Sequence, residues 1–246
     1  ARPLFNYTLT LLTDNYHFLF GVYGIIFGYF YSRNVDFILK KINKKSSRKI
    51  IGLVLFSSCF IGIWNINGFR FWSATHIFVF GLIKFLFFTK KKGLIFMILS
   101  LAFHFAFILP LAVFFFYKLI PYYNKIFIGL ILILSLYNPL ENLSIVNSYL
   151  MKFAFNEQLE RKAESYTSQE AVKRMEGKLS KTGYRKVIEI TQRGLILILA
   201  FLIIKRRSKF VGGIDLLLRY GIILSLIGAI LSFIPSMGRF LIVGLF

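Results

Sequence analysis

The sequence predicts an all-α fold, a polytopic integral membrane bundle with a broken or re-entrant segment and a helical extracytoplasmic loop. Three observations carry that expectation. Of the 246 residues, 57% are hydrophobic and 18% aromatic, more apolar side chain than one soluble core of this size can bury. Several apolar runs approach the roughly 17–25 residues that cross a hydrocarbon layer of about 30 Å as a helix. The period-two alternation of a membrane barrel is missing. Residues 1–246 read as a single integral membrane domain short of its N- and C-terminal parts, with 138–193 as the extracytoplasmic loop within it.

Charge sets the orientation. A formal net charge of +21 would point to nucleic acid in a soluble protein. Here the cations sit in short loops between apolar runs: Lys40-Lys41 with Lys44-Lys45, Lys90-Lys91-Lys92, and Lys205-Arg206-Arg207. Such blocks mark a cytoplasmic side beside anionic lipid head groups, so membrane lipid is the expected partner and nucleic acid is not. With those blocks inside, the run 16–31 travels inward, 50–64 returns outward, and 71–88 goes inward again.

The stretch 93–119 is interrupted by Pro110. As one crossing it would force the basic block at 205–209 outside, against the positive-inside tendency. As two short helices that bend near His104 to Pro110 and return, it delivers Lys118 to the cytoplasm. The later loops then agree, with 126–137 outward, 194–204 inward and 213–233 outward. Non-helical backbone at membrane depth is tolerated only where protein buries it or where it lines a wet cavity, so the bend marks a candidate site. The loop 138–193 holds seven of the ten acidic residues along with ten Lys and Arg. Its stretches 156–164 and 168–179 are rich in helix formers, and a cap of short helices over a membrane cavity is expected there.

Charged groups in apolar runs cost roughly 2.5–3.5 kcal/mol on insertion scales, so each needs a partner, a wet cavity or a route to the surface. Lys84 and Arg219 can snorkel. Arg70 and Arg239 fall at extracytoplasmic ends of spans, where orientation does not explain a cation, and guanidinium forks suit a diphosphate. His104 lies in the broken segment among aromatic side chains, as base, acid, phosphate ligand or packed core histidine. His76 lies about 240° round the helix from Arg70 and reads as structural; His17 is interfacial. Gly21, Gly24 and Gly28 offer a close helix contact. Cys59 is the single cysteine, and no phosphate-binding glycine loop, serine elbow or metal-ligand cluster is present, so neither metal nor cofactor is expected.

Asn67-Gly68-Phe69-Arg70, a span, a lysine-rich turn, and then Phe103-His104 with Phe107 and Pro110 resemble the EpsG-like Wzy polymerases. Arg70 and His104 stand 34 residues apart, as do that family's arginine and phenylalanine-histidine pair. Gly238-Arg239-Phe240 resembles the family's arginine near the outer end of a C-terminal span, and Arg161 and Tyr166 a looser element in the extracytoplasmic loop. The family's early acidic motif is missing, leaving Asp14, and Phe-Ala follows His104 where the family has a polar or small residue first.

The resemblance implies a polysaccharide polymerase of the bacterial inner membrane, with a GT-C-like architecture. It would join undecaprenyl-pyrophosphate-linked oligosaccharide repeats at the extracytoplasmic face, with a chain-length regulator protein as a further partner. Arg70, His104 and Arg239 would be its catalytic residues, with Arg161, Tyr166 and Glu141 as contacts to pyrophosphate or sugar. The arginines would hold the diphosphate; His104 would be the base on the acceptor hydroxyl or a further diphosphate ligand. Glu141, Glu157 and Asp14 are reserve bases. Two rival readings share the lipid-linked substrate: a transporter or flippase, which predicts internal repeats, and an O-antigen ligase.

Overall fold

The computed structural model describes residues 4–41, 68–88, 90–119, 194, 213–231 and 239–245. Among them all regular structure is helical. The chain divides into two compact units, one of residues 1–120, 208–221 and 246, the other of 121–207 and 222–245.

The first unit is built on α1 (Leu4–Thr10), α2 (Tyr16–Lys41), α3 (Phe69–Phe87), α4 (Lys90–Phe103) and α5 (Ile108–Leu119), with the start of α6 (Gly213–Ile230). Among the described residues α3 is the one helix long and apolar enough to cross a membrane, about 28 Å at 1.5 Å per residue. Two buried hydroxyls on these helices turn onto their own backbone, Thr75 to the Phe71 carbonyl at 3.0 Å and Ser100 to that of Met97 at 2.6 Å. That satisfies them without water, as a lipid-facing or buried helix requires.

Asn15 starts α2 as an N-cap, its Oδ1 accepting the His17 N–H at 2.9 Å. The helix outruns the expected 16–31 and reaches Lys41, because its face keeps meeting α3. Phe20 and Tyr23 lie 4.6 and 4.7 Å from Phe69, Phe27 and Tyr31 lie 4.8 and 5.3 Å from His76, and Phe37 lies 5.1 Å from Phe87. Between them the buried Asn34 donates its amide to the His76 carbonyl at 3.0 Å. Since these pairs rise together in number, α2 and α3 run in the same sense.

The turn after α3 is tight, the Phe88 N–H closing on the Lys84 carbonyl at 3.1 Å. Helix α4 then runs back with its backbone against that of α3. A Cβ added at Gly81 would stand 2.7 Å from the Met97 nitrogen and 2.8 Å from the Gly93 oxygen, and one added at Gly93 would stand 2.6 Å from the Gly81 oxygen. Small residues permit this approach. The close contact expected at Gly21, Gly24 and Gly28 is not found: no described atom lies within 4 Å of a Cβ at any of the three. Helix α2 meets α3 through aromatic rings, which hold the two backbones apart.

The helical course breaks at His104, whose φ of −154° and ψ of 112° are extended. A single 3-10 turn, Phe105–Phe107, leads into α5. Pro110 supplies the cause, since it has no N–H for the Ala106 carbonyl and its ring would collide with that carbonyl in a continuous helix. Within the first turn of α5 its missing donor costs nothing. The chain then reverses. Phe107 meets Phe71 at 5.3 Å and Phe78 at 5.8 Å, and Phe114 meets Phe85 at 4.9 Å, so α5 returns along α3 toward the start of α4. The buried Tyr220 of α6 secures the return, its hydroxyl donating to the Pro110 carbonyl at 2.8 Å.

These directions sort the charges. The ends of α2 and α3, the start of α4 and the last turn of α5 bring Lys40, Lys84, Lys91, Lys92 and Lys118 to one end. Asp14, His17, Arg70 and His104 belong to the other. Three lysines in the first turn of α4 oppose its dipole, so local helix electrostatics do not account for them. Lys84 lies 5.4 and 5.6 Å from the Phe80 and Phe88 ring centres, its stem along α3 as a snorkelling lysine runs.

In the second unit the described residues are Gly194, the end of α6 and α7 (Arg239–Leu245), with Phe240 and Val243 buried. The expected run 213–233 is helical over Gly213–Ile230. The runs 50–64, 126–137 and, beyond Gly194, 194–204, the loop 138–193 and Cys59 lie outside the described residues.

Candidate functional site

Arg70 is the second residue of α3, and its side chain is exposed. The guanidinium carbon lies 5.6 Å from the Phe69 ring centre. Gly68 caps the helix with no side-chain hydrogen bond, and the first turn holds no acidic residue. A helix start of this kind offers backbone N–H groups and the positive end of the dipole, and Arg70 adds a full charge to it. The combination suits an anion.

His104 stands where α4 ends, half-buried. Its ring meets Phe71 edge-on at 5.2 Å, so the residue after Arg70 packs on His104 and the two candidate groups share one end of the unit. The His104 N–H donates to the Ser100 carbonyl at 3.0 Å, and its Nδ1 accepts the Ala106 N–H at 3.3 Å. An imidazole nitrogen that accepts a hydrogen bond carries no proton, so the neutral ring holds its proton on Nε2. Nε2 of the neutral His104 is then a donor.

The model of the EpsG family matches residues 3–246. The chain belongs to the EpsG family. This is a Wzy-like, membrane-associated family whose membership carries a polysaccharide polymerase-type function. No curated protein and no solved structure matches the chain.

Other candidate residues of this EpsG-family chain stand as follows. Arg239 is the first residue of α7, half-buried, in the second unit. Arg161, Tyr166, Glu141 and Glu157 lie outside the described residues. Asp14 is exposed in the turn between α1 and α2. His76 is fully buried in α3, with Phe27 and Tyr31 edge-on to its ring.

Two residues beside this EpsG-family site escaped the sequence reading. Tyr23 is fully buried and its hydroxyl donates to Oδ1 of the buried Asn6 in α1. A phenol inside an apolar run must find such a partner, which was the available signal for Tyr23. Asn6 gave none, because a seven-residue helix is too short to show periodicity.

Proposed function

We propose that this chain is a glycosyltransferase of the bacterial inner membrane that polymerises undecaprenyl-pyrophosphate-linked oligosaccharide repeats at the extracytoplasmic face. The observation that carries the reading is the pairing of Arg70 and His104 at the end of the first unit opposite its lysines. Taking the lysine-rich end as cytoplasmic turns the other end outward, toward lipid-linked repeats. Family membership supports the polymerase class.

In the reaction an acceptor hydroxyl oxygen bonds to the anomeric carbon of the growing chain. The bond from that carbon to the lipid diphosphate breaks, the diphosphate departs with the bonding electrons, and the proton of the hydroxyl passes to the departing diphosphate or to solvent. Negative charge grows on the leaving oxygen. Fixed donors aimed at such a charge provide large catalytic effects. Arg70 grips the diphosphate in two-pronged fashion; a diphosphate role for Arg239 is carried by the resemblance of Gly238-Arg239-Phe240 to the family. His104 donates Nε2–H to a diphosphate oxygen; of the two roles left open by the sequence, its bond to the Ala106 N–H favours this one over the base. Arg161, Tyr166 and Glu141 hold the sugar or diphosphate from the loop 138–193, and a chain-length regulator acts alongside.

The test is polymer formation in cells that depend on this chain. Arg70→Ala, His104→Ala and Arg239→Ala each abolish long-chain polymer while single-repeat material and protein level persist. His104→Gln, which retains an N–H donor but has no basic nitrogen, keeps part of the activity. If well-expressed Arg70→Ala and Arg239→Ala chains still make polymer of normal length distribution, the diphosphate role is wrong and the flippase reading gains. If His104→Gln is as inactive as His104→Ala, His104 is the base.

A further inference from the structure

Along the chain Arg70 and His104 are 34 residues apart, joined through most of α3 and all of α4. Across space the route is much shorter. Phe71, the residue after Arg70, sets its ring edge-on to the His104 imidazole, with centroids 5.2 Å apart and planes at 83°. Consecutive Cα atoms lie about 3.8 Å apart, so a ring in the first turn of α3 links the arginine to the histidine directly.

The imidazole needs such a contact to hold one direction. Its χ2 torsion is broad, and the hydrogen bond it accepts from the Ala106 N–H is long at 3.3 Å. That bond decides which nitrogen faces Ala106, while the plane of the ring needs a second constraint. Phe71 supplies it, because aromatic pairs prefer edge-on angles that an aliphatic side chain of similar bulk does not impose. Phe71 is itself held. It is buried, with Trp72 at 5.1 Å and Phe107 at 5.3 Å, and the buried Phe107 also lies 6.5 Å from the imidazole with planes at 77°. The wall beside His104 therefore belongs to a packed core that cannot shift without opening a cavity.

We propose that Phe71 is a positioning residue of the Arg70 and His104 site: its ring holds the His104 imidazole in one orientation and at one spacing from the arginine, so that both groups meet the same diphosphate. The inference rests on the diphosphate reading above. A donor already held in place loses less freedom on binding the anion, which is where the effect of Phe71 enters.

The experiment is equilibrium binding of radiolabelled undecaprenyl pyrophosphate to the full chain in lipid nanodiscs, with nitrogen NMR of isotope-labelled histidine on the same samples. The chain has three histidines, and His104→Ala assigns the signals of the third. Phe71→Leu removes the ring; Phe78→Leu is the control, since Phe78 is a buried ring of the same helix that packs on Phe107 and Tyr220. Phe71→Leu weakens binding roughly five- to tenfold, part of one charge-assisted hydrogen bond, and Phe78→Leu leaves it unchanged. With the ring neutral, His104 shows one set of nitrogen signals with the proton on Nε2, and Phe71→Leu broadens or splits them. In a His104→Ala chain Phe71→Leu has no further effect, because its influence passes through the imidazole. Equal affinities for Phe71→Leu and Phe78→Leu, or a further loss in the His104→Ala chain, would overturn this inference, while loss of binding by Arg70→Ala would leave the diphosphate reading standing. Mixed His104 signals in the unsubstituted chain would also overturn it, whether or not Phe71→Leu folds. Unchanged binding by Arg70→Ala would remove the diphosphate reading and the inference with it.

Discussion

Replacing Gly93 by alanine tests the helical hairpin that brings His104 to Arg70. The new Cβ would stand 2.6 Å from the Gly81 oxygen and from the Phe85 Cα, and closer still to the Phe85 nitrogen. All three are backbone atoms, so no side chain can rotate out of the way. To restore ordinary contact α3 and α4 must part by roughly 1 Å, in a packing that leaves little slack. Overpacking of this kind costs about 1–3 kcal/mol, and alanine's better helix propensity returns about 1 kcal/mol, so the net loss is up to about 2 kcal/mol. The same change at Gly24 meets no described atom within 4 Å. Only the propensity term remains there, and Gly24→Ala stabilises by about 0.5–1 kcal/mol. The two variants therefore move in opposite directions in thermal unfolding of the detergent-solubilised chain followed by circular dichroism. A Gly93→Ala chain that melts at or above the unsubstituted protein would refute the backbone contact and the hairpin built on it. Function should follow, because His104 lies about 16 Å further along α4 and moves with it.

Arg70→Lys lowers polymerisation roughly 10- to 100-fold, since an ammonium cannot reproduce a two-pronged grip on phosphate oxygens; polymer yield at matched protein level measures it. Tyr220→Phe removes the hydrogen bond to the buried Pro110 carbonyl and lowers stability by about 1 kcal/mol in the same melts, with no loss if that bond is absent. A cysteine introduced at Ser168 is labelled by an impermeant reagent from the extracytoplasmic side, whereas one introduced at Lys91 is not; the reverse pattern would invert the proposed orientation.

Much of the fold was legible because lipid imposes simple demands. Apolar length announced α3 and α6, and Pro110 announced a break in 93–119, where a continuous helix would have left the later basic block on the wrong side. The break falls at His104 itself, six residues before the proline, since the turn needs room to clear the Ala106 carbonyl. The family was legible from Asn67-Gly68-Phe69-Arg70 and Phe103-His104, whose match extends to residues 3–246. The helix contacts were less legible. Gly21, Gly24 and Gly28 look like a packing motif and meet no described atom within 4 Å, while Gly81 and Gly93, isolated in sequence, bring two backbones together.

By itself, then, the sequence determined the all-helical class, the break, the sorting of lysines from Arg70, and the residues worth testing. These depend on local composition and on the cost of charge in apolar surroundings, both of which can be read along a single chain. Tertiary structure decided which glycines touch, that α2 packs directly along α3, and that Phe71 meets His104. It alone showed that Nε2 of the neutral His104 ring is a donor, because that depends on a hydrogen bond from Ala106 formed only in the extended turn. It alone joined Tyr23 to Asn6 and set the Tyr23 ring against Phe69 and Phe103. Such pairings link residues far apart in sequence, and their energies depend on distance and direction in space, which no local pattern of residues encodes.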